Sequence, residues 1–186
     1  RFIKIFEPYD YIVTPSGSCC AMVREQFHEL FHHDPAWSGP SDKVRAKTFE
    51  FVEFLDKVIK LDIKDLQLKD PQTFTYHYTC HQRGLGLKDE AITLLKKIGG
   101  VNFVPLEKSD QCCGFGGTFS VKQPDISGAM VADKVAALKA TEAVEIVSAD
   151  AGCMMNIGGK IAKDEPQMPR PKHIATFLLE RTGGKA

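Results

Sequence analysis

Two rhythms of apolar residues alternate along this chain, and their order predicts an α/β protein. Between Met22 and Phe31, Val23, Phe27, Leu30 and Phe31 fall at helical spacing, so a helix is expected directly after the Cys19-Cys20 turn. Asp34-Pro35 to Pro40 breaks it. Ser41 reads as the N-cap of a second helix, on which Val44, Thr48, Phe51, Leu55 and Val58 form one stripe ending near Leu61. The charged stretch Asp62 to Pro71 reads as a connector. Thr73 to Tyr78 is a β-rich run that reaches a turn, Cys80 to Gly84. Leu87, Ala91, Leu94, Leu95 and Ile98 line the next helix, with Asp89 and Glu90 in its first turn and Gly99-Gly100 at its end. Val101 to Val104 is the next strand. It feeds a loop holding Cys112-Cys113-Gly114-Phe115-Gly116-Gly117. A helix then runs from Pro124 to about Ala140 with Val131, Val135 and Leu138 on one side, and Val144 to Val147 is the third strand. This alternation predicts a Rossmann-like parallel sheet with flanking helices and right-handed crossovers.

The pattern also repeats itself. Val144 to Cys153 (VEIVSADAGC) echoes Tyr11 to Cys19 (YIVTPSGSC), with Ile146, Val147, Ser148 and Cys153 matching Ile12, Val13, Thr14 and Cys19 at one constant offset. A tandem repeat with one thiolate site per copy is therefore expected. Residues 1–70 would be the C-terminal part of a first copy plus a connector, and residues 71–186 a complete second copy. At the same offset the counterparts of Cys80 and Cys112 would fall before Arg1, so the chain reads as N-terminally truncated. An edge exposed in this way could pair with a second copy of the chain.

Composition narrows the chemistry. With 186 residues, 43% of them apolar, the chain can bury a core. Its 24 basic and 24 acidic residues balance, with no basic cluster, which removes the electrostatic footprint of a nucleic-acid binder. No apolar run approaches the roughly 18 residues of a membrane-spanning helix, and RFIKIFEPYDY is too acidic and too broken for a signal peptide. Four of the six cysteines are adjacent pairs, Cys19-Cys20 and Cys112-Cys113, and a bond between neighbours staples no loop. Reduced thiols in a cytoplasmic protein, used for metal binding or redox chemistry, are the expectation.

Cys80, Cys112, Cys113 and Cys153 all follow predicted strands, so a parallel sheet would gather them at one edge, where ligands bind in open α/β folds. Three uses compete. Buried cysteines pack as small hydrophobes, but core residues have no reason to collect in glycine-rich turns. Structural zinc takes four thiolates, usually through CxxC spacing, which this chain lacks. An iron–sulfur cluster needs several thiolates in a shielded pocket, and Gly114, Gly116 and Gly117 would let backbone N–H groups approach its sulfides. A thiol switch on Cys112-Cys113 is a further reading. Cys19 is the candidate ligand of the truncated site and Cys20 a bystander. His81, next to Cys80, is a candidate ligand or proton donor, whereas His77 reads as packing and Arg83 as a surface residue.

The residues resemble a known family. The order Cys80, then Cys112-Cys113-Gly114, then Cys153, with a long segment in each gap, is similar to the cysteine-rich CCG-domain family of heterodisulfide reductases and the glycolate oxidase iron–sulfur subunit. The strings TPSGSC, CHQRGLG, CCGFGGTFSVK and GCMMNIGGK resemble its lactate-utilisation branch most. Two CCG motifs per chain are usual there, in agreement with the repeat. The resemblance implies an iron–sulfur electron-transfer subunit, not autonomous, of a bacterial L-lactate oxidising complex. Its partners would be other subunits, one of them a ferredoxin-like iron–sulfur protein. A zinc-binding scaffold subunit of a related oxidoreductase complex is the alternative. The fuller family pattern ends in CxxC, whereas Asn156 stands at the third position after Cys153 and Met22 at the third after Cys19. The five-cysteine noncubane cluster of some members is thus not implied, and a four-iron cluster on four thiolates, or zinc, fits the residues present.

Overall fold

A computed structural model of the chain describes residues 1–63 and 67–181, the stretch 67–71 by its backbone alone. After α1 (Phe2–Phe6) comes β1 (Ile12–Thr14), then α2 (Gly17–Ala21), which passes through a π-helical stretch (Met22–Gln26) into α3 (Phe27–Phe31). α4 (Ser38–Ala46) leads to β2 (Thr48–Glu50), which lies parallel to β1 with Ile12 opposite Thr48 and Thr14 opposite Glu50. Ile3, Ile12, Val23 and Val44 form the core of this half, and Phe2, Phe6, Phe27, Phe31 and Trp37 pack around them.

The expected stripe from Val44 to Val58 does not lie on one helix. The chain leaves α4 at Lys47, extends over the β-favouring Thr48 and Phe49, and restarts at Glu50. The Glu50 carboxylate accepts the N–H groups of Val52 and Glu53, and Glu53 accepts the Glu50 N–H in return. That capping box opens α5 (Phe51–Glu53), which continues as a π-helical stretch (Phe54–Ile59). Ser41 is no cap; it is buried within α4.

The second sheet has the order β4-β3-β5-β6, all parallel. Its centre is β3 (Gln67–His77). Of the expected connector, 64–66 lie outside the described residues and 67–71 already belong to β3, whose register against β4 shifts between Gln67 and Gln72. The expected turn after β3 is a short helix, α6 (Cys80–Gly84), capped by Thr79, whose hydroxyl accepts the Gln82 N–H. α7 (Glu90–Lys96) follows, and Gly99, expected to end it, opens β4 (Gly99–Phe103). α8 (Thr118–Lys122), α9 (Pro124–Ala140), β5 (Glu145–Ser148), α10 (Ala151–Asp164), β6 (Lys172–His173) and α11 (Ile174–Arg181) complete the described chain.

Strand alternation divides the core between the two faces of this sheet. Phe74, Tyr76 and Val147 pack with Leu94, Leu95, Ile98, Ile174 and Phe177 on one face. Ile146 packs with Val131, Val135, Leu138, Ile157 and Ile161 on the other. Because β3 continues to β4 on one side while the chain later returns to β5 on its other side, the order reverses at β3. In open α/β sheets ligands bind at such a reversal, beyond the C-terminal ends of the strands, which here are those of β3 and β5.

The halves are joined where two helices begin. The Ser18 N–H of α2 donates to Asp150 Oδ2 at 2.9 Å, and the Ala151 N–H of α10 donates to Ser16 Oγ at 3.0 Å. Asp150 also caps its own helix through the Gly152 N–H. Among the described residues no helix is long and apolar enough to cross a membrane.

Candidate metal centre

Three donor side chains converge at the C-terminal ends of β3 and β5: His77 from the last position of β3, Cys113 from the loop after β4, and Cys153 from the first turn of α10. Their ligand atoms lie within 4.8 Å of one another. Alternation puts His77 there. Phe74 and Tyr76 face one core, so Thr75 and His77 face the other, where Cys113 is buried and Cys153 packs against its edge. The run Thr73 to Tyr78 carried this signal, but a lone histidine in a strand reads as packing until the cysteines are known to lie across from it.

The other two thiols adjoin. Cys112 and Cys80 interact side chain to side chain, and burial, reinforced by Cys80 and Cys113, raises the Cys112 thiol above its ordinary range. The Gly114 N–H points at Cys112 Sγ, 3.4 Å away, and Arg83 Nη2 lies 3.6 Å from Cys80 Sγ. Gly114 is required: it has φ +82, and a Cβ there would lie 2.8 Å from the Ser127 carbonyl. Its own carbonyl accepts the Ser127 hydroxyl, which fixes the loop on α9. Gly116 and Gly117 also have positive φ but are exposed, and they carry the chain into α8.

Cys113 and Cys153 interact side chain to side chain. Hydrogen bonding from the Cys153 thiol, aided by the Phe115 N–H, holds Cys113 well below the usual thiol range despite its burial. The same contact raises Cys153 far above it. The contact therefore favours negative charge on Cys113 over Cys153. Asn156, one turn beyond Cys153, donates to the Cys113 carbonyl at 2.9 Å and fixes the backbone of its neighbour.

The remaining candidates lie elsewhere. His81 is exposed on α6. Cys19 is exposed too and lines an apolar pocket of about 340 Å³ with Phe2, Phe6, Tyr9 and Tyr11. Cys20 is fully buried beside Ala21 and Leu85, and burial pushes its thiol up to about 11.

This donor set fits a metal. Both ring nitrogens of His77 are buried and lack a hydrogen-bond partner, an arrangement that costs free energy unless a ligand satisfies one of them. Imidazole and thiolate are the donors that zinc and iron favour.

Comparison with known proteins agrees with this chemistry. Residues 74–158 match the cysteine-rich domain family CCG. The chain is similar to lactate utilization protein A of Geobacillus kaustophilus, 43% identical over 182 residues that cover 97% of the chain and 74% of the relative. It is 42% identical to that of Bacillus licheniformis over 97% of the chain and 75% of the relative. With that of Lysinibacillus sphaericus the identity is 43%, over 96% of the chain and 77% of the relative.

Proposed function

The chain belongs to the lactate utilization protein A family and carries its CCG domain, and from that premise we propose that it is an electron-transfer subunit acting in lactate utilisation. Cys80, Cys112, Cys113 and Cys153 would hold an iron–sulfur cluster of the four-iron type. The observation that supports the reading is that Cys113 and Cys153 meet at one sheet edge, with Cys112 and Cys80 interacting beside them. A bound cluster would supply one-electron transfer. The chain's own residues do the rest. The Gly114 and Phe115 N–H groups stabilise negative charge on Cys112 and Cys113, and Asn156 fixes the Cys113 backbone. Ile146, Ile157 and Ile161 shield the site from water on the α10 side. Other subunits of the complex, a ferredoxin-like iron–sulfur protein among them, would deliver or accept the electron.

One observation favours a second reading. His77, Cys113 and Cys153 present their ligand atoms within 4.8 Å, a spacing that suits one ion, and zinc accepts such a mixed set. Purification without oxygen, followed by iron, zinc and acid-labile sulfide analysis and a visible spectrum, separates the two. Iron with matching sulfide and a broad band at roughly 400 nm is the expected result. Colourless protein with one zinc per chain selects the scaffold reading, and protein without either metal overturns both.

A further inference from the structure

Lys134 is the most anomalous charge in the described structure. It sits in the middle of α9 with no exposed surface, flanked by the core residues Val131, Val135 and Leu138. Its Nζ donates to the Lys108 carbonyl at 2.8 Å, and among the described residues no carboxylate lies within ion-pair distance of it. An ammonium buried on one carbonyl is costly, and proteins retain such groups where a charge of opposite sign is close.

The groups that face it name that charge. Asp110, Cys113 and Cys80 act on Lys134 as negative neighbours and Arg83 as a positive one. Asp110 is exposed, whereas Cys113 is buried and Cys80 half-buried, so the partners with less water around them are the thiols. Arg83 completes the pattern from the other side, donating to the Asp110 carbonyl and lying against Cys80 Sγ. Two cations therefore hold two carbonyls of the loop that ends in Cys112-Cys113: Arg83 lies against Cys80 Sγ, and Lys134 stands on α9 between Val131 and Val135, which pack in one cluster with Cys113.

Charge balance gives the arrangement a purpose. Four thiolates around a dication, or around a cluster core of charge 2+, carry a net charge of −2, and a buried site needs that charge compensated. We propose that Lys134, together with Arg83, is the built-in counter-charge of the metal centre, a positioning residue that pins the Cys112-Cys113 loop and balances the loaded site. This rests on the metal-centre reading above. It adds that the apo fold bears the cost of Lys134 and that the loaded form recovers it.

The test compares wild type with Lys134→Met, Lys134→Gln and Arg83→Met. Zn²⁺ affinity is measured by chelator competition, thermal melting on the apo proteins, and midpoint potential after reconstitution with iron and sulfide. Lys134→Met should weaken Zn²⁺ binding about 10- to 100-fold, the range for residues that support ligands from behind. Its apo form should melt no lower than wild type, because a buried charge has gone. Lys134→Gln keeps a donor for the Lys108 carbonyl but should fall with Met. Arg83→Met, at the partly exposed end, should move affinity the same way in a variant whose core is untouched. A reconstituted cluster in Lys134→Met should have a more negative potential, since reduction adds negative charge that is no longer balanced. Unchanged affinity with a lowered apo melting temperature would make Lys134 merely structural, and normal affinity in Lys134→Gln alone would reduce it to a loop pin. Wild type that takes up neither Zn²⁺ nor iron would overturn the metal-centre reading itself, and this inference with it.

Discussion

The two halves of the chain follow one local order and reach different ends. In each, a strand runs into a small-residue turn and a helix bearing a cysteine, and a second parallel strand follows with another helix directly behind it. Cys19 and Cys153 occupy matching places, yet Cys19 is exposed beside aromatic side chains while Cys153 meets Cys113 and His77. The difference lies in the neighbours. β1 pairs only with β2 among the described residues, whereas β5 also pairs with β3, which brings His77 and Cys80, and β4 beyond it leads to Cys112-Cys113. A cysteine at a strand end is thus a potential ligand only, and the adjoining strands make it a site.

The sharpest way to break this comparison is to remove one cysteine from each half. Cys153→Ser should reduce bound metal to background, and Cys113→Ser should do the same, while Cys19→Ser leaves metal per chain unchanged. The histidines allow the same contrast within one half. His77→Ala should lower metal affinity about 10- to 100-fold, and His81→Ala should not. Metal analysis of these variants, purified without oxygen, checks all of these. Retention of metal by Cys153→Ser together with loss by Cys19→Ser would reverse the assignment.

The comparison also explains what could be read from the sequence. That Cys113 and Cys153, from loops far apart in sequence, come together was legible because strand ends of a parallel sheet share an edge, a property of topology that needs no side-chain detail. The α/β class and the position of β5 came from the order of apolar runs and turns, and α9 from Pro124 at its start and the spacing of Val131, Val135 and Leu138. The break at β2 was hidden because Val44, Thr48 and Phe51 imitate a helical stripe. Only the Glu50 capping box, a contact between side chain and backbone, decides against one helix there. His77 and Lys134 were missed for a related reason. Each looks ordinary in its own element and gains its meaning from groups that lie far away in sequence or, for Lys134, across a loop.

A smaller effect separates the helix caps of the two halves. Glu50, opposite Thr14, and His173, opposite Ser148, hold equivalent places on β2 and β6. Each caps the helix behind it and reaches into the other half. Glu50 accepts from Gln82 Nε2, and His173 accepts the Ala175 N–H on Nδ1 while Nε2 meets the Pro15 carbonyl. Glu50 is ionisable in full burial, and burial pushes it from its ordinary 4.5 up to about 7. A carboxyl raised in the fold contributes stability that is complete below about 4.5 and is lost as pH rises through about 7. Glu50→Gln should remove that slope. It should match wild type near pH 4.5 and exceed it by up to about 3 kcal/mol above pH 8, read from denaturant melts across that range. A wild type whose stability rises through the window would show that the N–H donors on Glu50 outweigh its burial.

The smallest expected effect tests the join itself. Ser16 and Asp150 begin α2 and α10, and each accepts an N–H from the other's helix. Asp150 also accepts from its own Gly152, so it satisfies two N–H groups where Ser16 satisfies one across the join. Removing a cap of this kind costs about 0.5–2 kcal/mol. Asp150→Ala should therefore lie near the top of that range and Ser16→Ala near the bottom. The pair meets end to end, so the double variant should depart from additivity by about 0.5 kcal/mol or more, the scale of coupling between groups in contact. Additive losses within error would mean that the halves merely touch at these caps. Coupling would mean that α2 of one half and α10 of the other hold their starts jointly, so that Cys153 is positioned partly by a half of the chain that lies outside the His77, Cys113 and Cys153 cluster.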